Sequence, residues 1–345
     1  MRVPFRKKKE LKKQVTTETI EEHREEVLAK GRKFKYPFQY AKHRLVINTI
    51  IIGVVAVILL VGFGWLQLYK FQSTHDILYR FTKVIPVPVA RVDGENVRFS
   101  DYLMILKSSI AGLEAQEGTL AGTEADEMIR MQYKREALDT AIQFAFALKL
   151  ARELGIEVTD EQVAEAQREH RTVDGVERSE ESFANIVRMN FGLTVEEYGR
   201  LLMLSLTRKA VSSAIDEVAV ATADEVERML DGNGGNFAEV AEALGEKVSY
   251  EGPGEFVSTM NLDGGRAEMA GRLEVGEWSE RFASRNGDGY YFVKLLEKGE
   301  GQVKYVSLRV AFLEFGRRME RLREEGRIEE FIEIRRTDGG GEEKN

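Results

Sequence analysis

The chain has 345 residues, is 43% hydrophobic and 31% charged, and carries a formal net charge of -8. That length exceeds one ordinary domain, and that composition excludes a wholly disordered polymer, so more than one folding unit is expected. With no cysteine in the chain, disulfide staples and thiol-ligated metals are excluded.

The charge is unevenly spread. Residues 1–44 hold 14 Lys or Arg against 6 Glu, about +8, which leaves about -16 for the remainder. Directly afterwards comes LVINTIIIGVVAVILLVGFGWLQLY, residues 45–69, without a charged side chain. As a helix rising about 1.5 Å per residue, it would extend roughly 37 Å, enough to cross a bilayer with some tilt. Trp65 and Tyr69 stand near its far end, where amphipathic rings suit a membrane interface. Cations before the span, among them Arg6, Lys7, Lys8, Lys9, Lys12 and Lys13, predict a cytoplasmic tail over 1–44 and an exported remainder. VGFGWLQLYKF offers no small-residue cleavage site, so an uncleaved signal anchor in a cytoplasmic membrane is expected, with the lipid bilayer as the partner of residues 45–69. Clustered cations also attract nucleic acid, but the glutamates interleaved in TTETIEEHREEV predict a solvated helix and no nucleic-acid partner.

Residues 70–88 read as a linker. The run VIPVPVARVDGENVRFSDYLMILK predicts an extended approach, a short strand, a turn at Asp93-Gly94 and a helix beginning near Ser100 or Asp101. Apolar residues at Leu138, Ile142, Ala145 and Leu148 predict a long helix over 124–154, closed by Gly155. A Thr followed three residues later by Glu or Gln can satisfy free backbone N–H groups reciprocally. That pattern marks helix starts at Thr159 with Gln162, Thr194 with Glu197, and Thr222 with Glu225, and a further helix is expected over 182–190, ending at Gly192.

From about residue 218 the texture changes. A brief apolar EVAVA is followed by helices over 224–230 and at FAEVAEAL, with the Gly-rich turn DGNGG between them. YEGPGEF is expected to be extended, GDGYYFVKLLEK a strand, KGEG a hairpin turn, and QVKYVSLRVAF a strand with Val306, Leu308, Val310 and Phe312 on one face. The sum is α+β: a mostly helical region over 89–217, then a small mixed region over 218–336 with a closing helix, and a disordered tail over 337–345.

The segments VARVDGENVRFSDYL, ALDTAIQFAFALKLARELGIEVTDEQV and FANIVRMNFGLTVEEYGRLL resemble the helical chaperone module of the SurA and PrsA group of exported foldases. The pieces VAVATADEVERML, NFAEVAEAL, GPGEF, LEVGEWSE and DGYYFVKLLEK are similar, in order, to a parvulin-type peptidyl-prolyl isomerase domain, in degenerate form. The first would supply that family's first strand and helix, the last its final strand. The resemblance implies a cleft with two histidines, yet EVAVA lacks one, Tyr291 replaces the other, and no histidine follows His170. Phe256, Met260 and Tyr291 carry over as peptide-binding candidates, with Tyr291 the one candidate for a catalytic role. Prolyl isomerisation needs no nucleophile, cofactor or metal, because its barrier of about 18–20 kcal/mol comes from amide resonance, which an apolar pocket favouring the twisted amide can lower. Neither cofactor nor metal is therefore expected.

Three readings follow. The first is a membrane-anchored chaperone or foldase for unfolded or proline-containing exported polypeptides, with Met104, Met128, Met131, Phe183, Met189 and Phe191 as adaptable apolar side chains for such clients. The alternatives are an active parvulin-type isomerase and a non-catalytic envelope scaffold for one dedicated partner.

Overall fold

The computed structural model describes residues 16–35, 37–117, 123–173, 176–259, 261 and 263–334. The basic cluster around Arg6 to Lys13, the tail 337–345 and the candidate Met260 lie outside the described residues. The chain forms two units, Met1–Leu68 and Tyr69–Asn345.

The first unit holds α1 (Thr17–Lys35) and α2 (Pro37–Trp65), which runs on through a π-helical turn at Leu66–Lys70. The segment Arg44–Lys70 is long and apolar enough to cross a membrane, and its most apolar stretch is nowhere buried. Side chains that are apolar all round a helix cannot all face one core, so no single stripe is set aside for packing.

The second unit begins with α3 (Asp76–Val84), inside the segment expected to be a linker. Tyr79 and Thr82, three residues apart, form a buried stripe, and Lys83 reaches Glu197 at 3.1 Å; that packing turns the connection into structure. Next, β1 (Pro88–Val92) and β2 (Glu95–Arg98) form a hairpin through Asp93 and Gly94. Both turn residues have positive φ, 50° and 80°, as the twist of a two-residue hairpin demands. The second strand lies where the sequence had suggested only a turn leading into a helix.

The helical body follows as α4 (Phe99–Glu117), α5 (Glu124–Leu154), α6 (Asp160–Arg171), the two-residue strands β3 (Thr172–Val173) and β4 (Val176–Glu177), α7 (Glu180–Phe191) and α8 (Val195–Ile215). Leu138, Ala141, Ile142 and Ala145 give α5 its buried stripe. Gly155, at φ 68°, closes the helix in the left-handed conformation, and the N–H of Ile156 returns to the carbonyl of Ala151. The reciprocal caps at Thr159/Gln162 and Thr194/Glu197 form as expected, and Thr123 with Asp126 adds another at the start of α5.

The Thr222/Glu225 cap does not form, and EVAVA is not a strand. Both lie within α9 (Glu217–Gly232), which Asp216 caps by accepting the N–H of Ala219 at 2.9 Å. Ala219, Ala223, Val226 and Leu230 make one buried stripe at helical spacing, which carries the helix back through the alternating valines. Thr222 is left buried in the helix interior.

Then come α10 (Phe237–Leu244), β5 (Ser249–Glu251), β6 (Val257–Ser258), α11 (Arg266–Gly271), β7 (Phe282–Ala283), β8 (Gly289–Lys298) and β9 (Gln302–Ala311). The sheet order is β5-β9-β8-β7, with β6 also on β9. The long partner of β8 is thus the strand that follows it. One face, with Phe292, Val306, Leu308 and Val310, packs on α9 and α10, as the alternation in β9 predicts. The other face, with Val293, Leu295 and Val303, packs on α11 through Ala267, Ala270 and Leu273.

The chain then returns. The last elements, α12 (Glu314–Glu324) and β10 (Ile328–Glu330), do not belong to this sheet: α12 packs on α8 and β10 pairs antiparallel with β1, Ala90 opposite Glu330. Arg135 of α5 clamps the returning strand with two 2.7 Å hydrogen bonds to Glu330, while its other edge holds Asp139. Asp216 marks both exit and return: besides capping α9, its second oxygen accepts the N–H groups of Leu313 at 2.7 Å and Glu314 at 2.9 Å. The five-stranded sheet and its helices are therefore an insertion within the helical body.

Candidate functional site

The cleft candidates sit on the α11 face of the sheet. Strand pairing puts Tyr291 between Phe282 of β7 and Arg309 of β9, and puts Ser307 between Val293 and Glu251. Residues directly opposite in neighbouring strands share a face, so Tyr291, Phe282, Arg309, Ser307 and Glu251 form one patch. Tyr291 is only 7% exposed. Its hydroxyl donates to Asp288 at 2.9 Å, Phe282 stacks beside its ring, and the guanidinium of Arg266 lies 5.3 Å from its centroid. Arg266 also pairs with Glu251, and Arg309 donates to Asp288 at 3.2 Å.

The electrostatics follow from this packing. Burial pushes the Tyr291 hydroxyl up, and the bond to anionic Asp288 pushes the same way. Burial alone would raise Asp288, but donors from Ser284, Tyr291 and Arg309 outweigh it and hold the carboxyl below its ordinary value. Tyr291 is therefore a neutral hydroxyl already spent on a carboxylate, and its ring is covered by Arg266.

Phe256 stands elsewhere. Its neighbour Val257 pairs with Val303, six residues along β9 from Arg309, about 20 Å at 3.4 Å per residue. Phe256 is 43% exposed and its ring lies by Gly299 at the β8–β9 turn. Tyr291 and Phe256 thus occupy opposite ends of the sheet. The residues that do surround Tyr291 were not singled out in the sequence: Arg266, Asp288, Ser307 and Arg309. The signal was present in β9, where Tyr305, Ser307 and Arg309 alternate with the core valines and leucine. On the opposite sheet face a cavity of about 330 Å³ opens between the start of α10 and the sheet, lined by Phe237, Tyr250, Pro253, Leu296 and Val306, with Lys294 bonded to the carbonyl of Gly235 at its edge.

The helical body supplies the other surface. Met104 and Phe183 are core residues and Phe191 is half-buried, so these three are taken up wholly or partly in packing. Met128 and Met131, one turn apart on the first half of α5, and Met189 near the end of α7 are exposed. Both helices pack on α4. Unbranched thioether side chains left in solvent make an apolar surface that can adapt to varied contacts.

A model for the SurA-like N-terminal domain matches residues 38–213, just over half of the chain. The chain belongs to the SurA-like N-terminal domain family. The matched region runs from α2 through nearly all of α8 and so takes in both the apolar span and the helical body. Membership suggests a chaperone-type function and fits an envelope protein. The match stops before the inserted sheet. A comparison with curated proteins finds no match.

Proposed function

We propose that the chain is a membrane-anchored chaperone that binds unfolded or extended exported polypeptides through its SurA-like helical body. The observation that carries this reading is the family match over 38–213 together with exposed Met128, Met131 and Met189 on helices inside it. The anchor is Arg44–Lys70, and the excess of cations before it points to a cytoplasmic N-terminus and an extracytoplasmic remainder. Tethering raises the local concentration of the binding surface where exported chains emerge.

The inserted sheet is read as a degenerate parvulin-like domain, on the order of its motifs and its two-sided helix packing. Catalysis is the weaker reading for it, because the Tyr291 hydroxyl is bonded to Asp288 and Arg266 covers the ring. Loss of apolar walls removes the means of favouring a twisted amide over a planar one.

The test is light scattering from an aggregating, chemically unfolded client, with the full chain in detergent micelles or vesicles. The wild type is expected to suppress scattering, and a Met128→Asp, Met131→Asp, Met189→Asp variant to suppress it far less with unchanged circular dichroism. Equal protection by the variant would refute the assigned surface. No protection of unrelated clients by the wild type would favour a scaffold for one dedicated partner. Cis-to-trans relaxation of a proline peptide at the uncatalysed rate is expected with the same preparations; acceleration that Tyr291→Phe abolishes would restore the isomerase reading.

A further inference from the structure

The helix α3 carries an apolar stripe that faces away from the protein. Ile77, Phe81 and Val84 recur at the fourth and seventh positions, which places them on one helix face. They are 81%, 41% and 82% exposed, while the opposite face buries Tyr79 and Thr82. A core helix would turn such a stripe inward. Here the inward side is already fixed by the contacts of α3 with α4 and by the ion pair from Lys83 to Glu197.

The position of α3 in the chain identifies what covers the stripe. The apolar span ends at Lys70, and only residues 71–75 separate it from Asp76, a reach of at most about 20 Å. The first of these, Phe71, is also exposed, as is Ile85 just beyond α3. Arg80 lies beside the stripe, is exposed, and makes no ion pair among the described residues. A short helix with an apolar face, a cation at its flank and a tether to a membrane span has the composition of an interfacial helix, whose apolar face enters the boundary between headgroups and acyl chains.

We infer that α3 lies in the plane of the membrane surface, with Ile77, Phe81 and Val84 in the acyl boundary and Arg80 among lipid phosphates. This rests on the anchoring role proposed for Arg44–Lys70. A second attachment beside the span fixes the orientation of the helical body, because the packed face of α3 is rigidly joined to α4. The binding surface is then held at a set angle to the bilayer instead of swinging on a single tether.

The absence of cysteine makes the test direct, since any introduced thiol is unique. Full-length chains carrying Ile77→Cys, Phe81→Cys, Val84→Cys, Met189→Cys or Val55→Cys are spin-labelled and placed in vesicles of phosphatidylcholine with phosphatidylglycerol. Collision with lipid-soluble oxygen is compared with collision with a water-soluble nickel chelate. Labels at 77, 81 and 84 are expected to favour oxygen about tenfold more than the label at 189, the preference expected for side chains in the acyl boundary. If position 55 reports lipid while 77, 81 and 84 match 189, the inference is overturned and the anchor stands. If position 55 itself reports water, both fall. Labels at 77, 81 and 84 shielded from both reagents would mean a protein occupant, which also overturns the inference.

Discussion

Replacing Asp216 by alanine should loosen the point where the chain leaves the helical body and returns to it. The side chain is buried and accepts three backbone N–H groups, from Ala219, Leu313 and Glu314, at 2.7–2.9 Å. Loss of one helix N-cap costs about 1 kcal/mol, and a hydrogen bond to a carboxylate is worth about 1.5–3 kcal/mol. Leu313 is exposed, so water recovers part of the loss at α12, and the low end applies there. The total is about 4 kcal/mol, between two and three decades in a local opening equilibrium at 1.4 kcal/mol per decade. Hydrogen exchange of the full chain in detergent micelles, read by mass spectrometry, should show that acceleration in the first turns of both α9 and α12. Acceleration confined to one of the two turns, or below about tenfold in both, would refute the idea that a single carboxylate holds the junction.

Further predictions concern other parts of the fold. Arg135→Met strands Glu330, while Asp139 keeps Arg323 at 3.2 Å; Glu330 is partly exposed, so the cost falls to about 2 kcal/mol, and faster exchange at β10 with little change in the inserted sheet is the expected readout. Gly289→Ala places a Cβ 2.4 Å from the carbonyl oxygen of Val310, a backbone atom that cannot step aside, and should lower stability by about 2 kcal/mol or more in thermal unfolding; an unchanged midpoint would count against the β8–β9 register. Glu197 gives a pH dependence. Burial alone would raise its carboxyl, but the backbone N–H of Thr194, the Tyr79 hydroxyl and the Lys83 ammonium outweigh that and hold it below its ordinary value. A carboxylate with a depressed folded value contributes stability above its unfolded pKa, about 4.3, and loses it as pH falls through the folded value. The stability gap between wild type and Glu197→Gln should therefore narrow below about pH 4, and a gap independent of pH would contradict the assignment.

Local signals were legible where they sufficed. The bounds of α5 followed from its apolar spacing and the glycine behind it, and two reciprocal caps formed because nothing upstream competed with them. The same four-residue pattern misled at Thr222, because Asp216 offers an earlier cap and the stripe from Ala219 to Leu230 rewards the longer helix. Tertiary pairing was harder to read. Ile328–Glu330 has too few residues to show an alternation, and its identity as a strand depends on β1, more than two hundred residues away. The separation of Phe256 from Tyr291 is likewise a matter of register along β9, which no linear order of motifs reveals. The polar alternation Tyr305, Ser307, Arg309 was legible in the sequence and marked the patch that in fact surrounds Tyr291.

Because β1 is paired on one side by β10, the first strand of the helical body waits for residues 328–330, more than two hundred positions later. A chain made from its N-terminus meets this order in time: the inserted sheet can close on itself first, and the helical body can finish only when residues 328–330 arrive. Any product cut short before that point would leave the sheet edge of its helical body unsealed. The insertion thus ties closure of the helical body to synthesis of everything between Asp216 and residue 330.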